Sequence, residues 1–252
     1  TSLNQKLKKI TLLMKNKFFN HRKRIKRKIE NIYQKLFSYP RLKYKKNLIN
    51  KYWQIRRKDF KKIKPNDFQI ERAKLFSLLI EDKNSLLFDI GSGDAAQLIA
   101  IRNICPNLKI IGSDKDKFSC ELIKEANFNF HFFNEKESIK STLNKYCPKY
   151  ITLFEVIEHM YAPEEFLLEL LENKRIQKVF FSIPNSGFFM HRLRYMLGRF
   201  PLQWIVNPNE HIRFWTLKDM QWWLSYLKID NFSTIISYKG IPFLNKIFPN
   251  LF

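Results

Sequence analysis

The stretch LLFDIGSGDAAQL, residues 86–98, joins an acid to two closely spaced glycines. An apolar run reaches Asp89, and Gly91 and Gly93 follow just before a segment with helix-forming residues. Glycines permit a tight turn and a close approach of the backbone to a ligand, and the free N–H groups of a helix start point to the same place. The spacing Gly91-x-Gly93-x-x-Ala96 also fits a dinucleotide-binding fingerprint. The stretch therefore predicts a site for a nucleotide-like ligand or an ordinary strand-to-helix turn.

A second acid favours the ligand. The segment LKIIGSDKD reads as a strand that ends in Asp114, 23 residues after Gly91. An acid at this distance can accept hydrogen bonds from both hydroxyls of an adenosine ribose. The alternative is that Asp114 caps a helix beginning near Asp116. The order of strand, glycines, helix, strand and acid favours the ribose interpretation.

Asp89 discriminates between two kinds of adenosine-containing ligand. An ionised carboxylate at this place would repel the pyrophosphate of a nicotinamide dinucleotide and would attract an ammonium group. S-adenosylmethionine contains an ammonium group, a sulfonium and a ribose, and it contains no phosphate. The sequence therefore favours S-adenosylmethionine as the cofactor.

The elements that must position these residues alternate from residue 86 onward, which predicts a mostly parallel, doubly wound sheet. The predicted strands are 86–90, 108–113, 128–133, 149–154, 177–183 and 232–238. The predicted helices are 94–104, 117–126, 136–146, 163–173, 188–197 and 216–228. A further helix with an Asn/Asp start is predicted in PNDFQIERAKLFSLLIED, residues 65–82.

The net charge of +23 is concentrated at the start of the chain. Residues 1–64 hold 23 Lys/Arg and two acids, whereas residues 65–252 are nearly neutral. We therefore predict a basic, helical N-terminal extension over residues 1–64 and a cofactor-binding domain over residues 65–252. One helical stripe of the extension is apolar, formed by Ile25, Ile29, Ile32 and Leu36. A basic amphipathic helix of this kind predicts contact with an anionic membrane, with RNA or with the following domain.

Cysteine usage and hydropathy indicate the expected location. Three cysteines, Cys105, Cys120 and Cys147, lack the spacing of a metal site, which is typical of reduced thiols in a cytosolic protein. No apolar run has the length of a membrane span. We expect a cytoplasmic protein without a transmembrane segment, with peripheral contact at the inner membrane surface.

Four segments together resemble the class I S-adenosylmethionine-dependent methyltransferases: FDIGSGDAAQL, IIGSDKD, LFEVIEHMYAPEEFL and FFSIPNSG. Two later segments, SIPNSGFFMHRLRYMLGRFPLQW and NEHIRFWTLKDMQWWL, are similar to the MetW-like group of that family. The resemblance covers about residues 70–240 and implies a Rossmann-like fold. It implies that the cofactor is bound by Asp89, Gly91, Gly93, Asp114, Asn134 and Glu155. Ala95 stands where the family usually has a third glycine.

The stretch EVIEHM, residues 155–160, follows the fourth predicted strand, where the methyl group of the cofactor would emerge. Its order also resembles that of the enzymes that methylate the 2′-hydroxyl at the 3′ end of small RNAs. In such an enzyme Mg²⁺ would have four ligands here: Glu155, Glu158, His159 and His211. The same order occurs in methyltransferases without metal, and we predict that no metal is bound. His159 and His211 are then the candidate general bases.

The sequence predicts methyl transfer by in-line attack of an acceptor oxygen or nitrogen, with catalysis mainly by positioning. A hydroxyl of a small molecule or of a saccharide in cell-surface polysaccharide synthesis is the expected acceptor. The alternatives are a metal-dependent RNA 2′-O-methyltransferase, a non-catalytic MetW-like partner protein and a nicotinamide oxidoreductase.

Overall fold

The structure is a computed structural model, and it describes residues 26–30, 32–33, 36–37, 63–134, 137–201 and 211–235. These residues fall into two compact units. The larger unit contains residues 63–134, 137–188 and 211–235, and the smaller unit contains the described residues of 26–37 together with 189–201. Most of the predicted extension lies outside the described residues, so its boundary after residue 64 stays a prediction.

The larger unit is built on five parallel strands in the order β3-β2-β1-β4-β5. The strands are β1 (Leu86–Ile90), β2 (Lys109–Asp114), β3 (Asn129–Phe132), β4 (Tyr150–Phe154) and β5 (Lys178–Ser182). β1 pairs with both β2 and β4, so the strand order reverses at β1. Open α/β sheets bind ligands outside the carboxyl ends of their strands at such a reversal. The predicted Rossmann-like, doubly wound sheet is confirmed.

From residue 63 onward, the helices in the described residues precede, connect or follow the strands. They are α1 (Asp67–Leu79), α2 (Ala96–Ile104), α3 (Lys117–Glu125), α4 (Ile139–Tyr146), α5 (Pro163–Leu171), α6 (Phe189–Met196) and α7 (Leu217–Tyr226). A short 3₁₀ helix, Ile157–His159, lies between β4 and α5. Each helix predicted after residue 64 is present, although α2 and α4 begin later than their predicted starts at residues 94 and 136. The N-cap of α4 is Ser138, whose side chain accepts from the amide of Lys140.

The predicted sixth strand, 232–238, is wrong over its described part. Residues 232–235 form no strand, and residues 236–238 lie outside the described part of the chain. The composition of FSTIIS favours a strand, but strand preference depends on packing and on a neighbouring strand rather than on the backbone alone. Within the described residues β5 pairs with β4 on one side only.

The core of the described residues consists of two apolar clusters, and consecutive residues of β1 belong to different clusters. Leu87 belongs to a cluster with Phe76 of α1 and Ile101 of α2. Phe88, the next residue, belongs to a cluster with Trp223 of α7. Successive side chains of a strand point to opposite faces, and helices cover both faces of a parallel sheet. Full burial of each such side chain contributes about 1.5–3 kcal/mol to folding.

Helix α1 begins with a capping box, in agreement with the predicted Asn/Asp start. The side chain of Asn66 accepts from the amide of Gln69 at 3.0 Å, and the side chain of Gln69 accepts from the amide of Asn66 at 2.9 Å. The reciprocal pair satisfies two N–H groups that the helix itself cannot. The carbonyl of Gln69 also accepts from the side chain of Gln97 at 3.1 Å, which joins α1 to α2.

Cys105, Cys120 and Cys147 all carry free thiols. Burial, together with the nearby charge of Asp114, raises the pKa of the Cys120 thiol to about 11, so this thiol is not a nucleophile at neutral pH. In the part of the chain that the structure describes, no helix is long and apolar enough to cross a membrane.

Candidate functional site

The turn after β1 is fixed by its backbone conformation and by close packing. Gly91 and Gly93 have φ angles of +74° and +56°, in the left-handed region that glycine enters without steric cost. A Cβ atom on Gly91 would lie 2.6 Å from Cγ2 of Val156, which is closer than side chains pack. The amides of Gly91 and Ser92 donate to the carbonyl of Ser113 at 2.8 and 2.9 Å. These bonds hold the turn against the end of β2.

Ala95, which stands in place of a third glycine, has a left-handed backbone conformation. Ala95 has φ 61° and is fully buried. A left-handed backbone costs a residue with a Cβ atom about 1–2 kcal/mol. Ala95 directly precedes α2 and offers no side-chain acceptor, and Asp94 accepts instead from the amide of Ala96 at 3.2 Å. At the carboxyl end of β1, the start of α2 therefore offers backbone amide groups and the carboxylate of Asp94.

Asp89 is a buried carboxylate held by two hydroxyl groups. Its Oδ2 accepts from Oγ of Ser92 at 2.6 Å, and its Oδ1 accepts from Oγ1 of Thr152. Burial raises the pKa of Asp89 to about 6; the two hydroxyl groups oppose this rise and the charge of Asp114 adds to it. At neutral pH this carboxyl is therefore mostly ionised, in a place where a cation would stabilise it.

Asp114 ends β2 and contacts the glycine turn. Its Oδ2 accepts from the amide of Gly93 at 2.9 Å, and its Oδ1 accepts from the amide of Asp116 at 3.0 Å. Burial raises the pKa of Asp114, and backbone amides that include those of Asp116 and Gly93 act in the opposite direction. The alternative helix-cap role is wrong, because Asp116 is the residue that caps α3 through the amide of Phe118.

Arg72 of α1 lies at the same edge of the sheet and was missed by the sequence analysis. Its Nε donates to Oε1 of Gln97 at 3.1 Å. Its Nη1 donates to Oε1 of Glu155 at 3.1 Å and to Oγ of Ser182 at 2.9 Å. Its charge also lowers the pKa of Asp89, against the larger effect of burial. A single arginine in a helix has no spacing signal, so only the fold could reveal this position.

Glu155, the first residue after β4, has an unusual backbone. Its φ angle of +59° is in the left-handed region, which residues with a Cβ atom rarely occupy and which is enriched at functional sites. Its amide donates to the carbonyl of Ser182 at 3.0 Å, and its Oε1 accepts from Oγ of Ser182 at 2.7 Å. The side chain is thereby directed toward Arg72 and the end of β5.

His159 and His211 are brought together by backbone hydrogen bonds. The amides of Ile212 and Arg213 donate to the carbonyl of Glu158 at 3.0 and 3.1 Å, so the segment that begins at His211 lies across the 3₁₀ helix. The centroids of the two imidazole rings are 4.7 Å apart. The carboxylate of Glu158, which is buried, and the two imidazoles offer ligand atoms that all lie within 4.8 Å of one another.

The predicted group of four residues is thus assembled only in part. Glu158, His159 and His211 meet, whereas Glu155 is bonded to Arg72 and Ser182 instead. The reason is the left-handed turn at Glu155, which separates it from the following 3₁₀ helix. From sequence spacing alone, Glu155 and Glu158 could equally lie on one face of a helical turn.

Asn134 lies just beyond the end of β3 and is exposed. The preceding residue, Phe133, donates its amide to the carbonyl of Asp114 at 3.0 Å. The carbonyl of Asn134 accepts from the amide of Glu137 at 2.9 Å. Asn134 therefore lies next to the end of β2 in the fold, and its contact with an adenine stays a prediction.

Residues 60–226 match the family described as a methyltransferase domain. The chain belongs to this family. Its cofactor is S-adenosylmethionine, which sets aside the nicotinamide oxidoreductase alternative. No curated protein sequence matches this methyltransferase.

Several solved structures are similar to the methyltransferase, all at low sequence identity. The plantazolicin methyltransferase BpumL in complex with SAH is 17% identical, with 90% of each chain covered and a TM-score of 0.47. The methyltransferase domain of bacterial CtHen1 is 20% identical, with 64% of this chain and 84% of that chain covered and a TM-score of 0.46. Coclaurine N-methyltransferase, bound to N-methylheliamine and SAH, is 16% identical; 61% of this chain and 50% of that chain are covered, with a TM-score of 0.41.

The methyltransferase also places hydroxyl groups around Asp89 that the sequence analysis missed. Thr152 pairs with Asp89 across β1 and β4, and Oγ of Ser113 donates to the carbonyl of Asp89 at 2.8 Å. Both are fully buried in strands that are otherwise mostly apolar. Polar residues in the apolar runs KIIGSD and YITLF were the signal that could have identified them.

Proposed function

We propose that this methyltransferase binds the amino-acid part of S-adenosylmethionine between Asp89 and Arg72. The observation that carries the proposal is the burial of an ionisable carboxyl at the glycine turn, with an arginine across the same edge of the sheet. Asp89 would contact the ammonium group. The described contacts of Arg72 use its Nε and Nη1 atoms, and we infer that its remaining nitrogen faces the carboxylate of the cofactor.

The proposed ribose contact is Asp114. Its two oxygens already accept backbone amides, which orients the carboxylate, and an ionised carboxylate has about four acceptor positions. Hydroxyl groups of a ribose can therefore add to the existing bonds. Gly91 and Gly93 supply the close backbone approach, and Asn134 is proposed beside the adenine.

The proposed acceptor is a hydroxyl group of a saccharide, and a MetW-like place in cell-surface polysaccharide synthesis is proposed from motif similarity alone. When bound, the cofactor supplies a methyl group on a positively charged sulfur. The residues of this chain then position the acceptor oxygen and receive its proton as the new oxygen–carbon bond forms and the sulfur–carbon bond breaks. We propose His159 and His211 for the proton, because their rings lie together beside the end of β4.

A second candidate function is metal-dependent 2′-O-methylation of RNA. The observation in its favour is the group formed by Glu158, His159 and His211, whose ligand atoms lie within 4.8 Å of one another. One carboxylate and two imidazoles fit a divalent ion, although Mg²⁺ prefers more oxygen ligands than this group supplies. Glu155 is engaged elsewhere, which weakens the candidate. A third possibility, a non-catalytic MetW-like partner protein, predicts cofactor binding without turnover.

The basic N-terminal extension is proposed to contact an anionic membrane from the cytoplasmic side. Its charge supports the proposal, because each Lys or Arg near an anionic surface contributes about 1 kcal/mol. Removal of residues 1–64 is expected to weaken vesicle binding sharply and to leave cofactor affinity nearly unchanged. Loss of folding on truncation would instead show that the extension is packed structure.

Binding and turnover test these functions separately. Calorimetry should show binding of S-adenosylmethionine and S-adenosylhomocysteine and no binding of NAD, with or without Mg²⁺. Transfer of a radioactive methyl group should then be measured to soluble saccharides, to lipid-linked saccharides and to short RNAs. Transfer to RNA that requires Mg²⁺ would replace the saccharide proposal. Cofactor binding without transfer to any of these acceptors would favour the partner role.

A further inference from the structure

An exposed apolar surface lies at the end of α6 in the smaller unit. Met196, Leu197 and Phe200 are 82%, 48% and 56% exposed. We call these three residues the α6 surface. Large apolar side chains that are exposed singly are ordinary, but a contiguous exposed group is typical of a binding surface. The mechanism of methyl transfer does not use any of the three.

Hydrogen bonds fix the backbone of the turn that carries these side chains. Gly198, with φ +66°, ends α6, and its amide donates to the carbonyl of Tyr195 at 2.9 Å. The amide of Arg199 donates to the carbonyl of Arg194 at 2.7 Å, which is the pattern of a Schellman motif. The Arg194 side chain is buried, and its Nε donates to the carbonyl of Phe200 at 2.7 Å. The turn after α6 is therefore fixed by hydrogen bonds, and the three side chains of the α6 surface are exposed.

The described residues of 26–37, far away in sequence, belong to the same unit. A guanidinium nitrogen of Arg199 donates to the carbonyl of Phe37. Ile29 and Tyr33 of this helical segment are 61% and 63% exposed, and both lie on or beside the apolar stripe that the sequence predicts. The unit thus exposes apolar side chains from two separate parts of the chain.

The described charges of the smaller unit are mainly positive, although one of its arginines, Arg194, is buried. No acidic residue lies between Glu172 and Glu210 in the sequence. The described part of the smaller unit contains one acid, Glu30, against six basic residues, which are Lys26, Arg27, Lys28, Arg192, Arg194 and Arg199. Apolar side chains bordered by basic ones match the interface of an anionic bilayer, which offers negative headgroups above an apolar phase.

We propose that the α6 surface inserts into the headgroup region of an anionic lipid bilayer. The proposal rests on the membrane contact proposed for the basic extension. It adds a second membrane contact in the part of the chain that follows β5 and precedes α7. RNA offers phosphates and stacking bases, so it gives no partner to the aliphatic side chains of Met196 and Leu197. A bilayer accepts both the aliphatic groups and the charge.

The test is sedimentation of the full-length protein with vesicles of phosphatidylcholine alone and with added phosphatidylserine. The variant Met196→Ser/Leu197→Ser/Phe200→Ser keeps every Lys and Arg, and it should bind the anionic vesicles about tenfold or more weakly than the wild type, because it lacks the buried apolar area. The matched control is Leu78→Ser/Leu168→Ser/Leu171→Ser, which changes three exposed apolar residues of the larger unit and should bind as the wild type does.

The single variant Met196→Glu gives a second measurement that does not depend on the turn. Its side chain is the most exposed of the three, and a negative charge there should weaken binding to anionic vesicles while leaving cofactor affinity unchanged. Wild-type binding by both variants would overturn the role of the α6 surface. If truncation of residues 1–64 alone abolished binding, the extension would be the sole contact. Binding to RNA and not to anionic vesicles would refute the bilayer altogether.

Discussion

The carboxylate of Asp114 accepts a hydrogen bond from the backbone amide of Gly93, with 2.9 Å between Oδ2 and the nitrogen. The acid at the end of β2 is therefore bonded to the turn that follows β1. This bond and the bond from Asp116 fix the orientation of the carboxylate before any ligand arrives. Preorganised acceptors of this kind lose little entropy when a ligand binds.

The first prediction follows from this geometry. Asp114→Ala should weaken binding of S-adenosylmethionine by about 1.5–3 kcal/mol, the usual contribution of hydrogen bonds to a charged group. The matched control is Asp116→Ala, which removes the cap of α3 and should cost about 1 kcal/mol of stability without changing affinity. Calorimetry and thermal unfolding separate the two effects. Equal affinity of Asp114→Ala and the wild type would remove Asp114 from the ribose.

The second prediction concerns the pH dependence of stability at Asp89. The pKa of Asp89 is raised in the folded protein from 3.8 to about 6. Its stabilising contribution is therefore complete below about pH 4 and is lost as the pH rises through about 6. Asp89→Asn, which cannot ionise, should raise the free energy of unfolding of the cofactor-free protein by about 2–3 kcal/mol above pH 7 and should weaken cofactor binding.

Thr152→Val is the matched variant for this prediction. It removes the hydroxyl that donates to Asp89 and keeps the buried carboxylate, so it should destabilise the protein at neutral pH by about 1.5–3 kcal/mol. The two variants are thus expected to change stability in opposite directions. Thermal unfolding as a function of pH measures both. A lower stability of Asp89→Asn at neutral pH would contradict the interpretation of the raised pKa.

The third prediction concerns Arg72. Arg72→Gln should weaken binding of S-adenosylmethionine about 10- to 100-fold through loss of a charged hydrogen bond. It should not weaken binding of decarboxylated S-adenosylmethionine, which lacks the group that Arg72 is proposed to contact. Arg102→Gln is the control, since Arg102 donates to the carbonyl of Ala126 and lies over the ring of Phe128. Equal losses for both ligands would assign Arg72 to structure alone.

The fourth prediction concerns the two histidines. His159→Asn and His211→Asn should each lower kcat and leave cofactor affinity unchanged. The larger loss, about 10²- to 10⁴-fold, is expected for whichever histidine acts as the base. His131→Asn is the control, because His131, a residue of β3, is hydrogen-bonded to Glu137 and Tyr146; it should lower stability and spare kcat.

A chelator tests the same residues against the metal-dependent alternative. Activity is expected to survive EDTA, and purified protein is expected to contain no stoichiometric metal. Loss of activity with EDTA that Mg²⁺ or Mn²⁺ restores would reassign Glu158, His159 and His211 to a metal. RNA would then become the leading acceptor to test.

The parts of the fold that the sequence predicted are those with local signals. An apolar run that meets Asp89 and two glycines marks both the end of β1 and the turn, because few other residues tolerate φ above zero. The predicted β1, 86–90, agrees with the observed strand at both ends. The wrong strand, 232–238, had local composition in its favour and no partner strand in the described residues.

The parts of the site that the sequence missed depend on contacts between distant elements. Arg72 reaches Ser182 across 110 positions, and neither residue has a neighbour in sequence that marks it. Thr152 meets Asp89 through the register of β1 and β4. His211 was found only as part of a motif, and the hydrogen bonds that bring it beside His159 come from the backbone, which sequence patterns do not encode directly.

The capping box of Asn66 and Gln69 has a consequence for how this chain can evolve. Because the first turn of α1 is satisfied by its own side chains, the helix that carries Arg72 does not require a particular sequence before it. A change in the residues before Asn66 therefore leaves intact the cap of the helix that holds Arg72 against Glu155 and Ser182.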